Sequence, residues 1–157
     1  MEIAQERTPN IGSPKLTVLR EIRVNYRRGK REQTVISNPS DAASLIRKVL
    51  PDNSREHFVA VYLDAAHQTI GYGVTFTGTA NMCLLHPREV YQTAVLLGAT
   101  GVLVAHNHPT GQTKPSQEDR DTTKALREAG RILGISLLDH VIVTDDSHYS
   151  FSEQGEL

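Results

Sequence analysis

The sequence predicts one α/β or α+β domain in which a mixed central sheet is flanked by about three helices. Short apolar or alternating segments, typical of strands, are interspersed with three segments that have helical periodicity and clear end signals. The chain has 157 residues, which is enough to bury a core without disulfides. Its apolar fraction of 38% and charged fraction of 22% are ordinary for a globular protein.

The first part of the chain is predicted to be a lead-in followed by a small strand pair. Residues 1–13 are polar and are expected to be flexible, so the domain itself is assigned to residues 14–157. Residues 16–26 mix β-branched and polar side chains as a strand does, and Gln33 to Ile36 is a candidate return strand. The turn between them is basic, and we interpret it as solvated. Its charged residues are Arg27, Arg28, Lys30 and Arg31.

The remaining elements are predicted from helix-end and turn signals and from the spacing of apolar residues. Three apolar stripes at helical spacing are bounded by N-cap, proline and glycine signals, with Ser40 as the expected cap of the first helix. These helices begin near Ser40, Pro87 and Ser116 and end at Pro51, Gly98 and Gly134. The first two strands below are expected to form a hairpin. The predicted strands are His57 to Asp64, Thr69 to Thr77, Gly101 to Ala105, Ile135 to Val143 and Tyr149 to Phe151.

Composition excludes several classes of protein. The net charge of −1 gives no global signal for nucleic acid or for a basic partner. Cys83 is the single cysteine, so an internal disulfide and a multi-thiolate zinc site are both excluded. The N-terminus has no apolar core of a signal peptide, and no apolar run approaches the ~18 residues of a membrane span. A cytoplasmic protein without membrane contact is expected.

The segment HNHPTGQTKPSQED, from His106 to Asp119, predicts a metal site. His106 and His108 end a buried strand, and positions two apart in extended backbone face the same side. Asp119 falls in the first turn of the next helix, where its carboxylate can swing back to the strand end. Three such ligands with a fourth position left to water are the layout of a catalytic zinc site. We therefore predict one Zn²⁺ per chain.

Amide hydrolysis at such a metal needs two further groups. A carboxylate must take a proton from the water that zinc activates and pass it to the departing amine. A donor aimed at the developing oxyanion helps as well, and Ser116 stands between the two halves of the ligand set. Ser116-x-x-Asp119 is also an N-cap with an acidic residue at N3, and this bland interpretation is compatible with metal binding.

The same segment resembles the JAMM pattern of the JAB/MPN metalloprotease family: His-x-His, seven residues, Ser, two residues, Asp. The strings HNHPTG, PSQED and LLDHVIV, with Gly78-Thr79 and HPRE at His86 to Glu89, resemble the bacterial RadC branch. The likeness spans Ser37 to Glu153 and lacks the helix-hairpin-helix segment of longer RadC proteins, so the chain resembles a stand-alone RadC-like domain. It implies a JAB/MPN, cytidine-deaminase-like sandwich and a JAMM-type zinc metallopeptidase.

The resemblance also implies a general base. The family uses a glutamate at the start of the strand after the first helix, and Glu56 occupies that place, directly before HFVAVYLD. Glu89 is a rival carboxylate, but it lies at a predicted helix start within HPRE. Glu118 is expected to point away from the ligand face.

Other zinc enzymes with a His-x-His pair fit poorly. Amidohydrolase barrels need about 250 residues. The metallo-β-lactamase pattern has Asp-His after the pair, where Pro109-Thr110-Gly111 stands here, and zinc deaminases need two close cysteines. Asp139-His140, in an apolar strand, is interpreted as structural support that can orient a ligand imidazole.

The sequence thus favours a zinc-dependent hydrolase of peptide or isopeptide bonds, whose amide-bearing substrate no motif identifies. The alternative is a non-catalytic or DNA-repair-associated binding module with a vestigial metal site. In that alternative the basic turn from Arg27 to Arg31 would be the surface for nucleic acid. No pattern indicates the oligomeric state.

Overall fold

The computed structural model describes residues 34–78 and 85–157. The predicted lead-in, the strand over residues 16–26 and the basic turn from Arg27 to Arg31 lie outside these ranges, as do Thr79 and Cys83. Those parts of the sequence-based interpretation stay predictions.

The described residues form α-helices and β-strands in the order that the sequence predicts. The helices are α1 (Pro39–Val49), α2 (Pro87–Leu97) and α3 (Gln117–Leu133). The strands are β1 (Glu56–Leu63), β2 (Thr69–Gly78), β3 (Gly101–Asn107), β4 (Ser136–Val143) and β5 (His148–Ser150). Among these helices, none is long and apolar enough to cross a bilayer.

The strands make one mixed sheet with the order β2-β1-β3-β4-β5. β3 and β4 run parallel and are joined through α3, whereas the other neighbouring pairs are antiparallel, with β1 and β2 as the predicted hairpin. The predicted α+β class with a mixed sheet is confirmed, and the arrangement is consistent with a JAB/MPN-like fold.

Both faces of the sheet are covered, which is why β1 and β3 read as nearly continuous apolar runs. Phe58, Ala60 and Tyr62 pack in one core with residues of α2 and α3, and we call this side the α3 face. The alternate residues Val59, Val61 and Leu63 pack with α1 and define the α1 face. Because successive side chains of a strand point to opposite faces, β3 ends with His106 on the α3 face and Asn107 on the α1 face.

Two local predictions are wrong. The N-cap of α1 is Asn38 and not Ser40, since Pro39 already occupies the first helical turn and the Asn38 side chain accepts from the Asp41 amide at 3.0 Å. The return strand predicted up to Ile36 is reduced, in the described residues, to a single bridge between Val35 and Gln68. One bridge fixes too few backbone groups to make a strand.

Candidate metal centre

β3 holds the first histidine of the pair in the middle of the sheet. His106 pairs with Phe58 of β1 on one side and with Ile142 of β4 on the other. Its imidazole stacks on the Phe58 ring with centroids 5.8 Å apart and an interplanar angle of 6°. His106 is 4% exposed, so its ring is held by packing before any ligand is considered.

The three side chains predicted as ligands converge at the end of β3. His106 Nε2 lies 3.0 Å from His108 Nε2 and 3.1 Å from Asp119 Oδ1. His108 Nε2 lies 3.8 Å from Asp119 Oδ2. One ligand atom from each residue can be chosen so that all three lie within 4.8 Å of one another. The group could therefore hold a metal ion.

These separations fit a tetrahedral ion of the size of zinc. Two ligand atoms at 2.0–2.1 Å from such an ion lie roughly 3.3 Å apart. The two separations measured from His106 Nε2, 3.0 Å to His108 Nε2 and 3.1 Å to Asp119 Oδ1, are close to that value. The donor set of two imidazoles and one carboxylate is also one that zinc accepts at open sites.

The second histidine is oriented by the loop that follows it. His108 Nδ1 lies 2.7 Å from the carbonyl oxygen of Gln112. A carbonyl can only accept, so Nδ1 carries the proton and Nε2 of the neutral ring keeps its lone pair. The loop reverses at Gly111, whose φ of 77° lies in the left-handed region that favours glycine.

A chain of hydrogen bonds sets the orientation of His106. Thr123 Oγ1 lies 2.6 Å from the Asp119 carbonyl oxygen and 2.6 Å from His140 Nδ1. The carbonyl takes the single hydroxyl proton, so His140 Nδ1–H donates to Thr123 Oγ1. His140 Nε2 then accepts from His106 Nδ1–H, 2.9 Å away. The remaining nitrogen of His106, Nε2, is left with a lone pair that faces His108 and Asp119.

Electrostatics support the neutral state that this chain assigns to His140. Burial, and then the neighbouring His106 ring, lower the pKa of His140 well below its usual value, so His140 is neutral. For Asp119, burial acts to raise the pKa. A protonated His106, in the absence of metal, would donate from Nε2 to Asp119, and this bond and charge, together with the bonds from Ser116, outweigh burial and hold the pKa of Asp119 below its usual range. The neutral His106 of the hydrogen-bond chain is the form that a metal ion would bind, since Nε2 then has a lone pair. The site therefore presents two lone pairs and a carboxylate.

Ser116 forms the capping box of α3. Its hydroxyl accepts from the Asp119 amide at 3.1 Å, and the Asp119 carboxylate accepts from the Ser116 amide at 2.8 Å. The hydroxyl proton points to Asp119 Oδ2, 2.7 Å away. The capping interpretation is confirmed, and both the amide and the hydroxyl of Ser116 donate to the same oxygen, Asp119 Oδ2.

Glu56 faces the same cavity as the metal cluster. As the first residue of β1, it lies two positions from Phe58 and so projects from the same α3 face as His106. One cavity is lined by Glu56, Phe58, His106, Glu118 and Asp119. The structure therefore brings the predicted base to the same cavity as His106 and Asp119, two of the three predicted ligands.

The two rival carboxylates have different fates. Glu89 is exposed in the first turn of α2 and does not line this cavity. Glu118 is an exposed residue that contributes to the lining of this cavity beside Asp119, and the expectation that its carboxylate points away from the ligand face stays a prediction. Glu118 and Thr122 are one turn apart on α3, so both reach the cavity wall from the same side of the helix.

The Asp139-His140 pair is split between the two faces of the sheet. His140 contacts His106, as the supporting role requires. Asp139 instead accepts from Ser150 Oγ at 2.6 Å and from the Ser152 amide at 2.9 Å, which fastens the end of β5. Burial raises the pKa of Asp139, and these donors act against it.

A match to a family model accompanies this geometry. The model described as a RadC-like JAB domain matches residues 36–156. The chain belongs to the RadC-like JAB domain family. The resemblance noted in the sequence is confirmed, and the match includes Glu56, both histidines and Asp119.

Several bacterial proteins are similar over most of the chain. A UPF0758 protein of Shouchella clausii is 42% identical over 154 residues, 96% of this chain and 67% of that protein. One from Geobacillus thermodenitrificans is 42% identical over 130 residues, 83% of this chain and 58% of its own length. One from Rubrobacter xylanophilus is 44% identical over 123 residues, 78% of this chain and 54% of its own length. Their names state no activity, and this chain spans 54% to 67% of their lengths.

Sequence reasoning missed two polar residues that support the cluster. Thr123 lies one helical turn after Asp119, and this i, i+4 spacing could have suggested a role next to the site. Asn107 is an amide at the end of an otherwise apolar strand, where a buried polar group needs partners. That signal could have pointed to Asn107, although not to its partners.

Proposed function

We propose that this RadC-like domain is a zinc-dependent hydrolase of peptide or isopeptide amide bonds, of the JAMM type. One observation carries the proposal. Two imidazole lone pairs and a carboxylate point at a common place, and a second carboxylate, that of Glu56, lines the same cavity. Membership of the RadC-like JAB family supports it.

His106, His108 and Asp119 would hold the metal. When bound, zinc would supply Lewis acidity, polarising the scissile carbonyl and lowering the pKa of water towards ~7. The three ligands come from the end of β3 and the start of α3, both of which are fixed by sheet pairing and by a capping box. This leaves a fourth direction, towards the cavity, for water and substrate.

Glu56 would act as general base and then as general acid. Its carboxylate would take the proton of the attacking water and give it to the departing amine, and a group of this kind contributes 10²–10⁴-fold to a rate. Glu56 is half-buried and the ladder between β1 and β3 ties its strand to that of His106, so base and metal ligands share one rigid support.

Ser116 has two proposed roles that the same hydroxyl must share. Donation to the developing oxyanion, the role suggested by the place of Ser116 between the two halves of the ligand set, requires the Ser116 hydroxyl proton to turn away from Asp119 Oδ2. Positioning of Asp119 requires it to stay. The capping geometry favours positioning as the main contribution of Ser116.

The ligand set weighs against the alternative of a binding module with a vestigial site. A vestigial site is expected to have lost or blocked at least one donor. Here His106, His108 and Asp119 are present, and each is held by named hydrogen bonds in a usable orientation. DNA contact, a cytoplasmic location and the substrate's identity stay predictions or open choices.

The proposal is tested with zinc-reconstituted protein and a peptide library that includes isopeptide-linked members. We expect the wild type to hold one zinc ion per chain and to cleave some members. Glu56→Gln should keep the metal and lose about 10²-fold or more in turnover, since the amide cannot take the proton. Absence of bound zinc, or unchanged turnover in Glu56→Gln, would contradict the proposal or the assignment of the base, respectively.

A further inference from the structure

Asn107 stands between the two histidines but serves the opposite face of the sheet. It is 1% exposed, and its side-chain amide is fully engaged. Oδ1 accepts from the His57 amide at 2.7 Å, and Nδ2 donates to the Arg55 carbonyl at 2.8 Å and to Asn53 Oδ1 at 2.8 Å. One buried side chain therefore grips the segment that carries Glu56.

The orientation of this amide is unambiguous. His57 N–H can only donate and the Arg55 carbonyl can only accept. A flipped amide would place its NH₂ against a donor and its oxygen against an acceptor, and both bonds would be lost. We call these two hydrogen bonds the Asn107 clamp, and they form only with Oδ1 towards His57 and Nδ2 towards Arg55.

The two gripped groups belong to the peptide units on either side of Glu56. The Arg55 carbonyl is part of the peptide plane before Glu56, and the His57 N–H is part of the plane after it. Peptide planes are rigid, and φ and ψ of one residue are the only soft angles between consecutive planes. Holding both planes fixes φ and ψ of Glu56 and with them the direction of its Cα–Cβ bond.

We propose that Asn107 is a positioning residue that holds the backbone of Glu56, and so the point from which its carboxylate extends, in place relative to the metal ligands on either side of Asn107. Glu56 needs such support, because it is the first residue of β1 and the preceding residues 51–55 are exposed. The ends of strands fray unless they are tied down. The catalytic importance of this clamp rests on the proposed function, whereas its effect on Glu56 can be measured without any turnover.

The test compares Asn107→Asp and Asn107→Ala with the wild type by amide NMR and by competition of a chelator for zinc. Asn107→Ala removes both grips, and Asn107→Asp keeps the acceptor for His57 but sets a carboxylate oxygen against the Arg55 carbonyl. We expect His57 amide exchange to speed up at least about tenfold in Asn107→Ala. The backbone order parameter at Glu56 should fall from about 0.85 towards 0.6 or below in both variants.

Two controls separate positioning from a general loss of stability. Ser150→Ala removes another buried hydrogen bond, that to Asp139, and should leave the Glu56 order parameter unchanged. Zinc affinity should stay within about threefold of wild type in the Asn107 variants, since neither histidine is touched. If Asn107→Ala does not fold, Asn107→Asp still decides.

Two outcomes of the NMR and zinc measurements would overturn the proposal. One is a Glu56 that stays ordered in both Asn107 variants. The other is a loss of zinc affinity well beyond about threefold in the Asn107 variants, which would show that Asn107 supports the two histidines and not Glu56 alone. Neither outcome depends on finding a substrate, so a failed library screen would count against the hydrolase and leave this result standing.

With a substrate in hand, kinetics add a second readout. Asn107→Ala should lower kcat about tenfold or more with KM near that of the wild type. Adding it to Glu56→Gln should cost little more, because both changes act on the same proton transfer. Additive losses would contradict action through Glu56.

Discussion

The two faces of β3 end in polar residues of opposite character. On the α3 face, one ring nitrogen of His106 donates into a hydrogen-bond chain, and the lone pair of the other points at His108 and Asp119. On the α1 face, the Asn107 side chain accepts one hydrogen bond from and donates two to the segment from Asn53 to His57. The two adjacent residues thus differ in their polar contacts. His106 points an acceptor at other acceptors, whereas each polar atom of the Asn107 side chain has a complementary hydrogen-bond partner.

The difference distinguishes the residues that could bind a metal from the residues that hold them in place. Buried polar groups are normally paired with complementary groups. Acceptors that face acceptors, like the nitrogens 3.0 Å apart in His106 and His108, lack a partner that only a cation or a proton can supply. A saturated amide such as Asn107 needs nothing more and acts by holding its neighbours.

The largest effect is expected on the converging face. His106→Ala removes one ligand atom and Asp119→Asn replaces the anionic carboxylate by a neutral amide, and we expect zinc affinity to fall by more than ~100-fold in each, beyond what changes behind the ligands cause. Metal content after reconstitution and chelator competition measure it, with Ser150→Ala as a buried control away from the cluster. A full equivalent of tightly held zinc in either variant would show that the three side chains do not bind the metal.

The next effect concerns the groups behind His106. Thr123→Val and His140→Phe keep side-chain shape but interrupt the chain that leaves Nε2 of His106 unprotonated. Loss of such partners typically costs 10- to 100-fold in metal affinity. Chelator competition gives the affinity, and long-range ¹⁵N spectra of the imidazoles show which nitrogen of His106 carries the proton. Wild-type affinity with a mixture of tautomers would mean that the chain is dispensable.

The same division explains what sequence could predict. The ligand set is local: both histidines end one strand, and Ser116 and Asp119 open the next helix, so spacing and cap signals suffice. The α+β class and the hairpin follow from patterns within each element. The partners of Asn107 lie about fifty positions away, and His140 lies 34 positions from His106. These contacts depend on which strands pair and in which register, and single-strand patterns do not encode that.

The errors have the same origin in context. Ser40 is a good cap by residue type, yet Asn38 won because Pro39 suits the first helical position and the Asn38 side chain reaches the Asp41 amide. The predicted return strand likewise has suitable residue types at Val35 and Ile36, yet the described residues there form a single bridge, with Gln68. In both cases the residue type was read correctly and the surroundings decided.

The smallest expected effect tests whether a helix cap can also be part of a metal centre. Ser116→Ala removes the bond to the Asp119 amide and the bond to its carboxylate, and cap losses of this kind cost about 1 kcal/mol of unfolding free energy. Asn38→Ala removes the corresponding cap of α1, where Asp41 is far from the cluster, and is the matched control.

Denaturant unfolding should show similar losses of stability for the two cap variants, whereas chelator competition should show weaker zinc binding only for Ser116→Ala. The reason is that Asp119 loses one of the two donors that hold its carboxylate, the Ser116 hydroxyl, and keeps only the Ser116 amide. Asp41 is not a predicted metal ligand, so the loss of its cap has no effect on the metal site. Ser116→Thr keeps the hydroxyl and should restore both properties. Equal zinc affinity in the two alanine variants would exclude a role of Ser116 in metal binding. A kcat deficit of Ser116→Ala at saturating zinc would then indicate oxyanion donation, and an unchanged kcat would leave Ser116 as a helix cap alone.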